Sequence, residues 1–167
     1  MIVFVTGGAR SGKSSYALKR VSEMSPNPVY IATAKVWDKE FEQRVNRHKA
    51  ERGDEWTNYE VYKDLASLPL TGRTVIIDCV TLWLTSLFVD HKSNIDLCLE
   101  IFKKEIEALA QMDATFFIIT NEIGMGVHAE TEIGRRFTDM QGWANQFVAS
   151  KADEVIFMVS GISMKIK

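Results

Sequence analysis

The sequence predicts an α/β fold, with a largely parallel sheet covered by helices on both faces, in one domain spanning residues 1–167. Three observations predict it. Short apolar runs such as Ile2-Val3-Phe4-Val5-Thr6, Thr74-Val75-Ile76-Ile77-Asp78 and Thr115-Phe116-Phe117-Ile118-Ile119-Thr120 read as strands buried on both sides. Segments with helical apolar spacing alternate with them, as parallel crossovers require. Directly after the first run, Gly7-Gly8-Ala9-Arg10-Ser11-Gly12-Lys13-Ser14 fits G-x-x-x-x-G-K-[ST], the phosphate-binding P-loop. Together they specify a three-layer P-loop NTPase of the RecA-like kind.

The first strand is Ile2 to Thr6, and a helix follows the P-loop over Ser15 to Met24, with Ala17, Val21 and Met24 inward. Pro26 and Pro28 mark a turn before a second strand, Val29 to Ala32. Asp38 to Arg52 reads as a charged helix with Phe41, Val45 and His48 on one face, ended by Gly53. Glu60-Val61-Tyr62 is a strand candidate, and Thr74 to Asp78 is a strand. Leu82 to Asp90 is apolar enough for a buried helix. Ser93 is placed to cap a helix running to about Met112, with Ile95, Cys98, Leu99, Phe102, Ile106 and Leu109 as its inner stripe. Thr115 to Thr120 is the next strand. Glu130 to Lys151 follows as a long helix with Ile133, Phe137, Met140, Ala144, Phe147 and Val148 inward, and Glu154–Val159 and Met164–Lys167 close the sheet. Ligands then belong outside the carboxyl ends of the strands.

Composition excludes several classes. A chain of 167 residues, 46% hydrophobic and 25% charged, has enough material for one sizeable core. Its net charge of -2 gives no basic field for nucleic acid. The first apolar run is too short for a secretory leader, and no run reaches membrane-spanning length. Cys79 and Cys98 form no metal-ligand spacing, so the expected compartment is the reducing cytoplasm.

The candidate site residues follow from phosphate chemistry. Glycines let backbone N–H groups close around a polyphosphate, and a helix N-terminus adds partial positive charge. Lys13 supplies a mobile cation for β- and γ-phosphates, and the Ser14 hydroxyl suits Mg²⁺. Asp78, ending Val75-Ile76-Ile77, is a carboxylate at a strand tip where a second Mg²⁺ ligand is needed. Glu122 follows another strand and precedes Ile123-Gly124-Met125-Gly126. It suits either a metal or substrate hydroxyl, or a helix cap. Arg135 and Arg136 suit either developing phosphate charge or a surface ion pair. Arg44, His48 and Arg52 stand four residues apart and share a helix face. Flanking cations keep such a ring neutral and nucleophilic, although a solvated basic face has the same pattern. At this level a plain small-molecule kinase and a nucleotide-driven switch module both remain open.

With these pieces placed, the chain resembles the bifunctional adenosylcobinamide kinase/adenosylcobinamide-phosphate guanylyltransferase family almost end to end. The resemblance covers Thr6 to Ser14, Tyr30 to Ala34, the R-x-x-x-H-x-x-x-R-x-x-x-W pattern from Arg44 to Trp56, and Asp78-Cys79-Val80-Thr81. It continues through Asn121-Glu122-Ile123-Gly124-Met125-Gly126, Arg135 with Phe137 and Asp139, Gly142, Asn145-Gln146, and Gly161 to Lys167. It implies phosphorylation of the aminopropanol hydroxyl of adenosylcobinamide by ATP or GTP, with Mg²⁺. GTP then guanylylates His48, and the GMP passes to adenosylcobinamide phosphate. It also implies Gly7 to Ser14, Glu122 and Arg135 as nucleotide contacts, and a homo-oligomer, a trimer. Two positions depart from the family pattern: Ala129 replaces a frequent Pro, and Ser86 a frequent Asn.

Overall fold

The computed structural model describes residues 1–34 and 53–167. The predicted helix from Asp38 to Arg52 lies outside the described residues. Within them the strands are β1 (Ile2–Gly7), β2 (Val29–Ala32), β3 (Thr57–Glu60), β4 (Thr74–Asp78), β5 (Thr115–Ile119), β6 (Glu154–Val159) and β7 (Ile162–Lys165). The helices are α1 (Lys13–Met24), α2 (Val80–Asp90), α3 (Ile95–Ala110) and α4 (Glu132–Lys151). The strands form a sheet in the order β3-β2-β4-β5-β1-β6-β7. β1 pairs in parallel with β5 and β6, β4 with β5 and β2, and β2 with β3. β7 alone among them runs antiparallel, against β6.

Strand periodicity divides the core between the two faces. Ile2 and Phe4, Val29 and Ile31, Val75 and Ile77, and Phe116 and Ile118 face one layer with the inner stripes of α2, α3 and α4. Val3 and Val5, Ile76, Phe117 and Ile119 face the other, where Ala17 and Val21 of α1 cover them. The three-layer expectation therefore holds. Trp83 of α2 is fully buried, with its ring edge-on to Phe102 of α3 at 4.9 Å. Burial of each such large side chain contributes roughly 1.5–3 kcal/mol. No helix among the described residues is long and apolar enough to cross a membrane.

Several boundaries differ from the sequence reading. β3 is Thr57–Glu60 rather than Glu60–Tyr62. It is an edge strand that is half-buried only at alternate residues and exposed at the others, so its apolar content is low, whereas Val61 and Tyr62 pack on the core after the strand has ended. Asn94, not Ser93, caps α3, its side chain accepting from Leu97 N at 3.1 Å. Ser93 has φ 62° and closes the preceding turn by donating its N–H to Phe88 O. α4 starts at Glu132 after a Thr131 cap, which leaves Ile133 in the first turn 54% exposed. Met24, in the last turn of α1, is also exposed. The closing strand begins at Ile162, two residues before Met164, because the turn at Ser160 and Gly161 is tight.

Candidate active site

The site grows from the carboxyl edge of the sheet. Asp78 is in register with Ile119, and Ile119 with Val5, so the tips of β4, β5 and β1 end at one level. β5 lies between β1 and β4. The residues leaving β5, Asn121 and Glu122, therefore emerge between the P-loop and Asp78.

The loop Gly7-Gly8-Ala9-Arg10-Ser11-Gly12 turns β1 into α1, whose first turn holds Lys13 and Ser14. Gly7 has φ 149°, and a Cβ there would collide with the Met158 carbonyl of β6. Gly12, at φ 96°, is the N-cap of α1 and supplies no side-chain cap, so the first-turn N–H groups remain for an anion. The β6–β7 turn braces the loop from outside: Gly161 N donates to Ser11 O at 2.9 Å.

Lys13 is 7% exposed, and its Nζ donates to the Gly8 carbonyl at 2.5 Å. Burial lowers its pKa from the ordinary 10.5, with Asp78 and Glu122 partly opposing the fall. Ser14 Oγ and the Tyr30 hydroxyl each donate to Asp78 Oδ2 at 2.8 Å. The P-loop hydroxyl and the strand-tip carboxylate are thus already in contact. Glu122 Oε1 accepts from Thr6 Oγ1 at 2.5 Å and from Asn145 Nδ2 at 3.1 Å. Asn121 is tied to Thr81 Oγ1 through its backbone and side-chain nitrogens, at 3.2 and 3.3 Å. Next to Cys79's neighbour Asp78, burial pushes the Cys79 thiol up to about 12, so it stays protonated and unreactive.

A cleft of about 640 Å³ opens beside the loop, lined by Gly8, Ala9, Arg10 and Ser11, by Asn121 to Gly126 in part, and by Phe157 to Ser160. Glu122 and Arg10 are its charged walls, and Phe157, Met158 and Val159 its apolar floor.

The structure brings together Gly7 to Ser14, Asp78 and Glu122. Arg135 stands apart from the cleft lining, its guanidinium donating to the carbonyls of Ala129 and Glu130 at 3.2 and 2.7 Å. Arg136 likewise donates to Ser93 O at 3.2 Å and enters no ion pair among the described residues. His48, with Arg44 and Arg52, lies outside the described residues. Ser86 is buried within α2 and donates back to Leu82 O, away from the cleft. Sequence reasoning placed Thr6, Tyr30 and Thr120 in strands and Thr6, Tyr30 and Asn145 in the family pattern, but assigned none of these, nor Gln141, a role at the site. The usable clue was Gln141 and Asn145 themselves, two amides at (i, i+4) on the inner face of an otherwise apolar helix stripe.

A P-loop whose lysine and serine lie beside two strand-tip carboxylates defines a nucleotide-binding enzyme suited to phosphoryl transfer. Comparison with known proteins narrows the class. The family described as "CobU: Cobinamide kinase / cobinamide phosphate guanyltransferase" matches residues 3–166, and the chain belongs to that family. It is similar to the bifunctional adenosylcobalamin biosynthesis protein CobP of Pseudomonas aeruginosa, 35% identical over 168 residues, spanning 98% of this chain and 95% of the relative. It is also similar to the bifunctional adenosylcobalamin biosynthesis protein CobU of Escherichia coli, 34% identical over 182 residues and the full length of both. Among solved structures, the flagellar accessory protein FlaH of Methanocaldococcus jannaschii aligns over 99% of this chain and 77% of its own, at 13% identity and TM-score 0.49. The chain is accordingly a bifunctional kinase and guanylyltransferase of adenosylcobalamin biosynthesis, acting on cobinamide and cobinamide phosphate.

Proposed function

We propose that both reactions use one nucleotide site, formed by Gly7 to Ser14, Asp78 and Glu122. The observation that carries this is the 2.8 Å bond between Ser14 Oγ and Asp78 Oδ2, which joins the chain's one P-loop motif to the strand-tip carboxylate. These oxygen donors fit Mg²⁺, which takes one or two protein oxygens and fills its remaining positions from phosphates and water. Bound there, the ion would neutralise charge on the phosphate oxygens. The loop N–H groups and Lys13 hold the triphosphate of ATP or GTP. Glu122 orients the aminopropanol hydroxyl of adenosylcobinamide and accepts its proton as that oxygen bonds to the γ-phosphorus, while the bond from the γ-phosphorus to the β–γ bridging oxygen breaks and the nucleoside diphosphate leaves.

For the second reaction we infer that a His48 ring nitrogen attacks the α-phosphorus of GTP. The bond to pyrophosphate breaks, pyrophosphate leaves, and a phosphoramidate holds the GMP. A phosphate oxygen of adenosylcobinamide phosphate then attacks the same phosphorus and releases the histidine. The support is the Arg44–His48–Arg52 spacing and the family pattern that contains it. The resemblance also makes a homotrimer the expected assembly, which sedimentation equilibrium reads directly.

The test is incubation with α-labelled GTP and Mg²⁺. Acid-labile, base-stable label is expected on the protein. His48→Ala should lose that label while keeping much of the γ-phosphoryl transfer. Acid-stable label, or full labelling of His48→Ala, overturns the histidine assignment.

A further inference from the structure

The buried amides behind Glu122 form a connected chain with one direction. Thr120, Gln141 and Asn145 are 0%, 1% and 6% exposed. Gln141 Nε2 donates to Thr120 Oγ1 and to Asn145 Oδ1, both at 2.9 Å. Thr120 Oγ1 donates to Asn145 Oδ1 at 2.8 Å. Asn145 Nδ2 then donates to Glu122 Oε1 at 3.1 Å and, more weakly, to the Asn121 carbonyl at 3.4 Å.

The direction follows from the carboxylate. An ionised Glu122 only accepts, so Asn145 must turn its NH₂ toward it. The Asn145 oxygen then faces Thr120 and Gln141, and both must donate. Gln141 consequently presents its NH₂ inward, and its buried Oε1 has no hydrogen-bond partner among the described residues. An unpaired buried carbonyl is destabilising, so the orientation of these amides carries a stability cost of its own. Core filling alone would be served as well by apolar residues at Gln141 and Asn145.

We propose that Asn145, held by Gln141 and Thr120, is a positioning residue that fixes Glu122 for the acceptor hydroxyl. This rests on the reading of Glu122 given above. With Thr6 and Asn145 both on Oε1, the carboxylate is held from two sides and Oε2 is left for the cleft. Misplacement of such a group by about 1 Å costs on the order of 10²-fold in rate.

A double-mutant kinetic cycle tests this on the full chain, with kcat and KM for γ-phosphoryl transfer to adenosylcobinamide. Glu122→Gln should lower kcat by on the order of 10²-fold. Asn145→Ala should lower kcat roughly tenfold with the nucleotide KM unchanged. In the Glu122→Gln background, Asn145→Ala should cost less than about twofold further, because the group it positions is already disabled. If Asn145→Ala does not fold, Gln141→Leu, which keeps the volume and removes the donor, runs the same cycle. A loss of equal factor in both backgrounds, or one confined to KM, overturns the positioning assignment while leaving Glu122 in place. A fully active Glu122→Gln overturns the reading of Glu122 and the proposal with it.

Discussion

Asp78 and Glu122 are carboxylates that follow neighbouring strands, yet they are held in opposite ways. Asp78 accepts from Tyr30 in β2 and from Ser14, in the first turn of α1 directly after the phosphate loop. Of its two partners, Ser14 is therefore one that an arriving cation and nucleotide can take over. Glu122 accepts from Thr6 in β1 and from Asn145 in α4, both scaffold elements. One carboxylate shares a partner with the nucleotide site and the other is held by scaffold elements alone. Position at a strand tip does not fix a role; the place of the hydrogen-bond partner separates the two.

The largest effect expected is that of Lys13→Ala, which removes the cation facing both carboxylates. Kinase and guanylyltransferase rates should fall together by on the order of 10²-fold or more. Survival of either near wild type would require a second nucleotide site. The next pair addresses the contrast itself. Asp78→Asn should depress both rates and raise the Mg²⁺ concentration needed for half-maximal velocity, whereas Glu122→Gln should lower kinase kcat at an unchanged Mg²⁺ requirement. Equal Mg²⁺ shifts in the two variants would erase the distinction.

A pH titration of nucleotide affinity comes third. Burial lowers the Lys13 pKa in the free protein, and a bound polyphosphate favours the charged amine. Affinity should therefore weaken as pH rises through that lowered pKa, below the range of an ordinary lysine. Calorimetry on Lys13→Ala should show a flat profile there. The smallest effect belongs to Tyr30→Phe, which leaves Asp78 its Ser14 bond. Loss of one hydrogen bond of about 1 kcal/mol predicts a rate change of roughly fivefold or less. A loss as large as that of Asp78→Asn would show that Tyr30, not Ser14, holds the carboxylate.

The central strands were legible because burial on both faces leaves one kind of residue available. Thr74 to Asp78 is a strand with the boundaries read from its apolar run. The edge strand Thr57–Glu60 was misplaced because solvent on one side permits Thr, Asn and Glu, and the neighbouring Val61 and Tyr62 carried more apolar weight. Ser93 and Asn94 are both good caps; the backbone conformation at Ser93 decided between them, and no composition rule reports that. The P-loop and Asp78 were readable from local pattern. The support of Glu122 was not, because Gln141 and Asn145 are about twenty residues downstream and interrupt an apolar stripe that was read for its hydrophobic members. Arg135 shows the converse: it is near the glycine-rich segment in sequence, but its guanidinium is used by the carbonyls of Ala129 and Glu130.

The close approach of Gly7 to the Met158 carbonyl, with the Gly161-to-Ser11 bond beside it, also bears on synthesis. The strand and turn that brace the phosphate loop are translated about 150 residues after it. β1 likewise finds its neighbours only in β5 and β6. Contacts of such high sequence separation form slowly, and a nascent chain at 5–20 residues per second waits roughly ten seconds or more for them. Until they arrive the loop lacks its brace and β1 lacks its parallel partner β6.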